Sequence, residues 1–459
     1  MHSDTIAAIA TASGRGGVGI VRLSGPAAYK VSQRITGVAL QHRHATFTEF
    51  KDHNGDIVDQ GIAVFFKGPE SFTGEDVVEL QAHGSPVVLD LLMKTATLLG
   101  ARPAGPGEFS QRAFLNDKID LVQAEAIADL VDSSSEQAAR SALRSLRGAF
   151  SQHIDAINTR ITELRLFVEA AIDFPDEDID FLADGQIQQR TEQLTVELAE
   201  LQALANQGVM LRDGINVVLC GRPNAGKSTL LNKLAQEEIA IVTDHAGTTR
   251  DTLKQEILLE GIPLHVVDTA GIRASENPIE QEGIRRALEQ VNKADIILLV
   301  NDIATGKAAI DDPRQELVDY FKQAGVNSPP ADDVPLIVIN NKIDLLEQPA
   351  SSQQYNNIQQ VNLSARENTG LDLLSAAIKQ GCGIAQSTEG NVVARRRHLH
   401  AIERALDFLN HGLDKLEAGA PELLAEDLRQ AHDQLGEITG KLAPDELLGK
   451  IFTSFCIGK

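Results

Sequence analysis

The stretch GRPNAGKST fits a phosphate-gripping pattern, G-x-x-x-x-G-K-S/T, running from Gly221 to Ser228. It follows the apolar run INVVLC and opens the helical stretch STLLNKLA, which is the context such a loop requires. Gly221 and Gly226 let the backbone curl so that successive N–H groups, with Asn224 and Ala225 among the loop residues, point at phosphate oxygens. Lys227 supplies a charge to the outer phosphates, the Ser228 hydroxyl is suited to ligate Mg2+, and Thr229 follows it into the helix. Downstream, HVVDTAG sets Asp268 after a strand, where a carboxylate reaches the Mg2+ shell; Thr269 and Ala270 lead to Gly271, whose N–H can sense the last phosphate. Between these segments GTTRD offers Thr249 as a second hydroxyl on the metal. Further on, NNKIDL contains N-K-x-D as Asn341, Lys342 and Asp344. An aspartate there accepts hydrogen bonds from the ring N–H and the exocyclic amino group of guanine, and adenine offers neither donor in that arrangement. The base is therefore guanine, and Ser364 and Ala365 of the LSA segment close its pocket.

In order and spacing this set resembles the nucleotide motifs of translation-factor-type GTPases. One position departs from the Ras-like pattern. After DTAG, where those enzymes carry a water-orienting Gln, Ile272 stands here, and an alkyl side chain cannot position water. Asn224 and the segment TDHAGTT suggest a substitute: a monovalent cation held by Asn224 and by backbone carbonyls of residues 243–248, acting where an arginine finger would. Glu280 is the candidate to polarise the water; the other reading of it is a solvated carboxylate.

The elements that must hold these residues follow from apolar periodicity. From 215 to 380 apolar strands alternate with helices (INVVLC, PLHVVDTAG, ADIILLVND, PLIVINN, IQQVNLSA), which means a parallel sheet covered on both faces. Before it, Leu143, Leu146, Phe150, Ile154, Ile157, Ile161, Leu164 and Val168 step by three and four, predicting one long helix up to the break at Pro175. A second helix is expected over 187–206. After 392, Leu399, Ile402, Leu406, Leu409, Leu413 and Leu416 repeat the pattern, so helical segments flank the α/β unit on both sides. They pack either as one helical domain with the α/β unit inserted or as two bundles. Residues 1–118, with strand-like GIVRLSG, DQGIAVFF and EDVVELQAHG and a helix over PVVLDLLMKTATLLG, read as α+β. In GRGGVG the glycines mimic a dinucleotide loop, but the strand IVRLSG follows where a Rossmann site needs a helix, which rejects NAD.

The bulk numbers bound the class. The 459 residues suit about three domains of ~150 residues each. No run of ~18 apolar residues is present, so no membrane span is expected. The start MHSDTIAAIA lacks the layout of a secretory signal. Three scattered cysteines, Cys220, Cys382 and Cys456, make neither a metal cluster nor a disulfide framework, and the reducing cytoplasm is the expected compartment. A net charge of −23 leaves only local patches for gripping RNA. Arg395, Arg396 and Arg397 form one such patch, read either as a contact for RNA phosphates or a partner, or as a solvated helix start.

With GRGGVGIVRLSG, SFTGEDVVELQAHG, GPGEFSQRAFLNDKIDL, AEAIADLVDSSSEQAARSAL, GRPNAGKSTLLN, TDHAGTTRD, DTAGIR, ARRRHL and the terminal FCIGK, the chain resembles, end to end, the MnmE (TrmE) family of bacterial tRNA-modification GTPases. That resemblance implies a multidomain α/β architecture. An α+β folate-binding and dimerisation domain would span 1–118, a helical domain would comprise 119–212 and 383–459, and a Ras-like doubly wound G domain over 213–382 would be inserted in it. It implies a homodimer working with an MnmG-type FAD- and NADH-using partner in a heterotetramer or larger complex. The product would be an aminomethyl or carboxymethylaminomethyl group on carbon 5 of the tRNA wobble uridine. The one-carbon unit would come from methylenetetrahydrofolate, with the folate site also taking the 5-formyl form. GTP hydrolysis would be potassium-stimulated and coupled to G-domain dimerisation. Carried over by position, Arg22, Glu79, Lys118 and Lys459 are the folate residues; Ser228 and Thr249 hold Mg2+; Asn224, Thr243, His245 and Thr248 hold K+, with Asp244, Ala246 and Gly247 in the same loop; and Glu280 is the catalytic acid. His245 matters little if only its carbonyl serves. Cys456 falls near the folate pocket as a nucleophile, an acid/base group, or a thiol that only shapes the site, since reactivity depends on a lowered pKa. Its distance from the end also suggests a prenylation box, which Gly458 and Lys459 break. A second function compatible with the motifs is a ribosome-assembly switch without folate chemistry; a membrane-remodelling GTPase lacks the basic amphipathic helix it would need.

Overall fold

Alternation decides the first sheet. In β2 (Gly16–Ser24) Val21 and Leu23 are fully buried while Arg22 between them points to the other face, the period-two pattern of a strand with one apolar side. A computed structural model describes residues 4–173, 185–237, 254–268, 293–305, 312–323, 334–356, 358–384 and 392–458. They fall into two units, described in turn: Met1–Val131, Ser145–Leu201 and His400–Lys459 form one, Asp132–Arg144 and Gln202–Leu399 the other.

The first unit contains a six-stranded sheet in the order β3 (Thr46–Lys51), β4 (Ile57–Phe66), β5 (Val77–Gly84), β2, β1 (Ile6–Ile9), β6 (Arg102–Pro103). Its pairs are antiparallel except β1 with β6. One face is covered by the helices Ala28–Thr36 and Pro86–Leu98, which bury Val31, Ile35, Leu89 and Leu92 against Val21, Leu23, Val78 and Leu80. Among the described residues the other face carries a small apolar cluster, Ile6, Ala8, Ala104 and Phe109, beside Arg22 and Glu79. The strand after GRGGVG is observed as read from the sequence, and β1, β3 and the Ala28–Thr36 helix are added to that reading.

The helical part of this unit pairs the helix Ala149–Asp173, burying Ile154, Ile161, Leu164 and Val168, with Pro421–Thr439, burying Leu424, Leu428, Leu435 and Ile438. The single long helix expected from Leu143 to Val168 is two helices, Glu136–Leu146 and Ala149–Asp173. Gly148, at φ 86°, takes the left-handed turn that ends the first, a conformation glycine adopts without a side-chain penalty. The three-and-four spacing runs across the break because two helices meeting there continue the apolar series. Pro175 lies outside the described residues. The helix Leu121–Val131 starts with a reciprocal cap: the Asp120 carboxylate accepts from the Gln123 N–H at 2.8 Å, and the Gln123 amide oxygen accepts from the Asp120 N–H at 3.0 Å.

The second unit contains a seven-stranded sheet in the order β12 (Ser351–Tyr355), β13 (Ile358–Leu363), β11 (Leu336–Asn341), β10 (Ile296–Asp302), β7 (Ile215–Gly221), β9 (Ile262–Asp268), β8 (Lys254–Leu259). The central strands are parallel, and β10 is buried along ILLV on both faces. Lys227–Glu237 and Leu371–Gly381 pack on one face through Leu230, Leu234, Leu374 and Ile378, and Pro313–Gln323 on the other through Leu317 and Phe321. The outermost strands β8 and β12 run antiparallel to their neighbours, where the sequence suggested a wholly parallel sheet. An edge strand pairs on one side only and needs no continuous apolar run, so SSQQY leaves no strand signal.

Candidate functional site

In the second unit the base-reading and phosphate-binding segments leave the carboxyl ends of β7, β10, β11 and β13. Gly226, at φ 97°, passes so close to β11 that a Cβ would lie 2.2 Å from Asn341 Nδ2, which donates to Ala225 O at 2.9 Å. Only glycine allows that approach. The same Asn341 side chain accepts from the Ala365 N–H at 3.0 Å, so one amide ties the phosphate loop to the segment that closes the base pocket. Ser364 Oγ donates to Asp344 Oδ1 at 2.6 Å and orients that carboxylate. Lys342, at φ 72°, donates from Nζ to Asn224 O at 2.8 Å and to Asp302 Oδ2 at 2.6 Å. Lys227, 6% exposed, donates to Gly221 O at 2.7 Å and Arg222 O at 3.0 Å, placing an ammonium inside the loop. Ser228 is exposed in the first turn of Lys227–Glu237, at the positive end of the helix dipole. A loop this closely wound around one ammonium, at a helix N-terminus, fits a polyphosphate. Of Asp268 the backbone alone is described, at the end of β9. Thr243, Asp244, His245, Ala246, Gly247, Thr248, Thr249, Thr269, Ala270, Gly271, Ile272 and Glu280 lie outside the described residues, so the cation loop and the water-polarising acid gain no geometry.

In the first unit, Arg22 and Glu79 are register partners on β2 and β5, and Arg22 Nε donates to Glu79 Oε1 at 3.0 Å. The guanidinium sits 5.7 Å from the Phe109 ring centroid and 6.0 Å from that of Phe72. Its Nη1 also donates to Gly458 O at 3.3 Å, so the chain terminus reaches the pocket. The terminus is held there by a bridge between Ile457 and Pro106 and by the Gly107 N–H, which donates to Cys456 O at 3.2 Å. Cys456 itself is exposed, and Lys459 lies outside the described residues. Lys118 is exposed; a Cβ on Gly74 would lie 3.3 Å from its Cγ. It borders a cavity of about 540 Å³ with Asp120, Thr439 and Lys441 among its lining residues. Burial pushes the Asp120 carboxyl up, against the hydrogen bond from the Gln123 N–H.

Beneath this pocket runs an ionic cluster. Arg112 is fully buried and pairs with Asp4 at 2.9 Å, Glu75 at 3.1 Å and Glu108 at 3.1 Å, while Arg102 pairs with Asp4 and Glu108, each at 2.7 Å. Hydrogen bonding from Arg102 holds the Asp4 carboxyl below its usual range. Burial pushes the Glu108 carboxyl up, but bonds from Arg102, the Gly105 N–H and Arg112 outweigh it and leave it lowered. Ser24 Oγ bonds both Glu75 (2.7 Å) and Thr73 (2.7 Å), and Asn116 Nδ2 donates to Thr73 O at 2.7 Å. The segment carrying Phe72 and Gly74 is thus tied down between Arg22 and Lys118.

Comparison with known proteins bears on these two sites together. The family profile described as MnmE helical domain matches residues 121–456, and that described as GTP-binding protein TrmE N-terminus matches 5–118. A "tRNA modification GTPase MnmE" from Marinobacter nauticus is 52% identical over 460 residues, covering 100% of this chain and 99% of that protein. Proteins of the same description from Pseudomonas paraeruginosa (54% over 464 residues, 100% and 99% covered) and Legionella pneumophila strain Corby (53% over 461 residues, 100% of both) are as similar. The chain belongs to the MnmE family. It is accordingly a tRNA modification GTPase, a GTP hydrolase. Among solved structures, a GTP-binding protein from Sulfolobus solfataricus in complex with GDP overlaps 61% of this chain and 78% of its own, at 15% identity and a TM-score of 0.26. The FeoB G-domain from Methanococcus jannaschii overlaps 37% and 97%, at 23% and 0.23. Overlays this loose carry no argument about this chain.

For this MnmE-family chain the structure gathers Asn224, Ala225, Lys227, Asn341, Lys342, Asp344, Ser364 and Ala365 in one network, and Arg22 with Glu79 and Gly458 in another. Sequence reading missed Phe72, Glu75, Asp302, Phe109 and Arg112. Arg112 had a signal: an arginine in GEFSQRAFL at a position flanked by the buried Phe109 and Ala113. Cys220 is buried in β7, and burial, with the charge of Asp295, pushes the Cys382 thiol up to about 12. Arg396 opens the helix Arg396–Glu417 and stands 3.7 Å from Asp213.

Proposed function

We propose that the chain couples GTP hydrolysis in its phosphate-loop unit to one-carbon transfer at the Arg22–Glu79 pocket. The product in this reading is a tRNA carrying an aminomethyl or carboxymethylaminomethyl group on carbon 5 of the wobble uridine, made in the cytoplasm with an MnmG-type FAD- and NADH-using partner. Residues 1–118 bind the tetrahydrofolate and join two copies of the chain, 213–382 form the G domain, and 119–212 with 383–459 form the helical domain around it. Asp344 reads guanine, with Asn341, Lys342, Ser364 and Ala365 shaping its pocket, and Lys227 and the loop from Asn224 to Thr229 hold the phosphates. Ser228 and Thr249 would hold Mg2+, with Asp268 reaching its shell. Asn224, Thr243, His245 and Thr248 would hold K+, and Glu280 would polarise the attacking water. Such cations supply neutralisation of the charge that builds on the transferred phosphoryl group.

The observation that carries the folate half is the half-buried Glu79 carboxylate. It is gripped from one side by Arg22, whose guanidinium lies against the Phe72 and Phe109 rings, on the sheet face that carries the small Ile6, Ala8, Ala104 and Phe109 cluster. A carboxylate so held suits the donor edge of a pterin; Lys118 and Lys459 would suit the acidic tail, and Cys456 stands two residues before Gly458, whose carbonyl Arg22 contacts. The test is binding of 5-formyltetrahydrofolate to the full chain, with nucleoside analysis of tRNA from cells lacking the protein. Saturable binding that Arg22→Met weakens, with an unmodified wobble uridine in those cells, is expected. No binding at millimolar folate, or a fully modified uridine, would overturn the reading.

A further inference from the structure

Asn301, Asn340, Asn362 and Ser351 lie in one line across four strands of the second unit. They are direct register partners on β10, β11, β13 and β12. Asn301 Nδ2 donates to Asn340 Oδ1 at 3.3 Å, Asn340 Nδ2 donates to Asn362 Oδ1 at 2.8 Å, and Asn362 Nδ2 donates to Ser351 Oγ at 2.9 Å. All three amides donate in the same sense, and Asn340 and Asn362 also accept, an arrangement in which each bond polarises the next. Asn340 is 5% exposed, a buried amide in a strand whose preceding residues are all apolar and buried. Neither the phosphate-loop chemistry nor core packing calls for it.

The position of the line is what gives it meaning. Immediately after Asn301 comes Asp302, which pairs with Lys342; after Asn340 come Asn341, Lys342 and Asp344; after Asn362 and Leu363 come Ser364 and Ala365. Side chains alternate across a strand, so Asn341 brackets the phosphate loop on one face while Asn340 binds its neighbouring strands on the other. The line crosses the sheet one or two residues before the three base-reading segments leave it.

We propose that Asn340, through Asn301 and Asn362, is a positioning residue for guanine recognition. It fixes the lateral spacing and register of the strand ends that carry Asp302, Asp344 and Ser364–Ala365. This rests on the assignment of base reading to Asp344. Guanine-specific bonds then depend on the line, whereas phosphate contacts do not.

The experiment measures steady-state GTP and ATP hydrolysis by the full chain and by Asn340→Val, with thermal melting alongside. The single variant strands two half-buried amides and can lose stability, so a second variant, Asn301→Val with Asn340→Val and Asn362→Val together, replaces the three asparagines with β-branched residues that suit a sheet. The expected result in both is a KM for GTP raised about tenfold, equivalent to about 1.4 kcal/mol. The kcat stays within about twofold, the ATP reaction is unchanged, and the GTP-over-ATP preference falls by the same factor. A stable triple variant with unchanged GTP KM, or with equal losses for both nucleotides, would overturn the proposal. Asp344→Asn is run in parallel. If it leaves nucleotide preference untouched, the base-site assignment itself fails; if it shifts preference while the Asn340 variants do not, only the positioning role fails.

Discussion

The nucleotide pocket and the Arg22–Glu79 pocket are both polar sites set on sheets with apolar cores, yet they are assembled from different materials. Around the phosphate loop the contacts engage main-chain atoms: Lys227 on two loop carbonyls, Lys342 on Asn224 O, Asn341 on Ala225 O and the Ala365 N–H. At the other pocket the contacts are mostly between side chains far apart in sequence, Arg22 with Glu79 and Arg112 with Asp4 and Glu75, joined by the helical neighbour Glu108. A site made by backbone follows from a short contiguous motif. A site made by side chains exists only once the chain has folded around it, and it depends on each member individually.

The largest test of that contrast is Asp344→Asn, because under the proposed base reading a paired, charge-assisted contact is lost at a site whose scaffold stays intact. GTP kcat/KM is expected to fall about 10³-fold with no change in melting temperature; equal melting loss would mean the scaffold, too, depends on that side chain. Next comes Arg112→Met. It removes the cation from a buried position: Glu75 loses its ion pair while Asp4 and Glu108 keep Arg102, and the expected cost is about 3–5 kcal/mol in urea unfolding. A loss under about 1 kcal/mol would show that the cluster is not structural. Arg22→Met removes one contact to Glu79 and the cation over two rings, and should weaken 5-formyltetrahydrofolate about 10- to 100-fold while GTP hydrolysis is retained.

Acid should separate the regions more gently. Asp4 and Glu108 are lowered in the folded chain, so their stabilisation is complete above their ordinary values, near pH 4 to 4.5, and is lost as pH falls through the lowered folded values. Asp4→Asn should flatten the slope of melting temperature against pH below about pH 4.5; an unchanged slope would remove Asp4 from the account. The smallest effect is chemical. At pH 8 a maleimide should label the exposed Cys456 well before Cys382, whose thiol is pushed up to about 12, and before the buried Cys220. Peptide mapping reads the order.

Legibility followed the same division. The P-loop helix and the five parallel strands were readable because each depends on local pattern, apolar runs and a glycine spacing, and N-K-x-D singled out Asn341, Lys342 and Asp344, which the fold sets at the end of β11. The antiparallel edges were not: SSQQY is held by pairing with β13 rather than by burial, and KQEILL, which pairs with β9, offers only Ile257 and Leu259 to the core. The helix break at Gly148 was hidden because the three-and-four apolar spacing continues across it from one helix to the next. Arg22 and Glu79 came from resemblance alone; nothing near either residue announces the other, 57 positions away, until β2 and β5 pair.

What the sequence determined by itself is a guanine-nucleotide unit, because phosphate and base recognition are encoded in short stretches whose backbone conformation is set locally by glycines and helix starts. What only the tertiary structure decided is where the chain terminus goes and what surrounds Arg22. The contact from Arg22 to Gly458 O spans 436 positions. The entropy of closing so long a loop is recovered only when Phe452 and Phe455 pack with Leu121 and Ala124 and the last residues bridge to Pro106. No local pattern contains that balance.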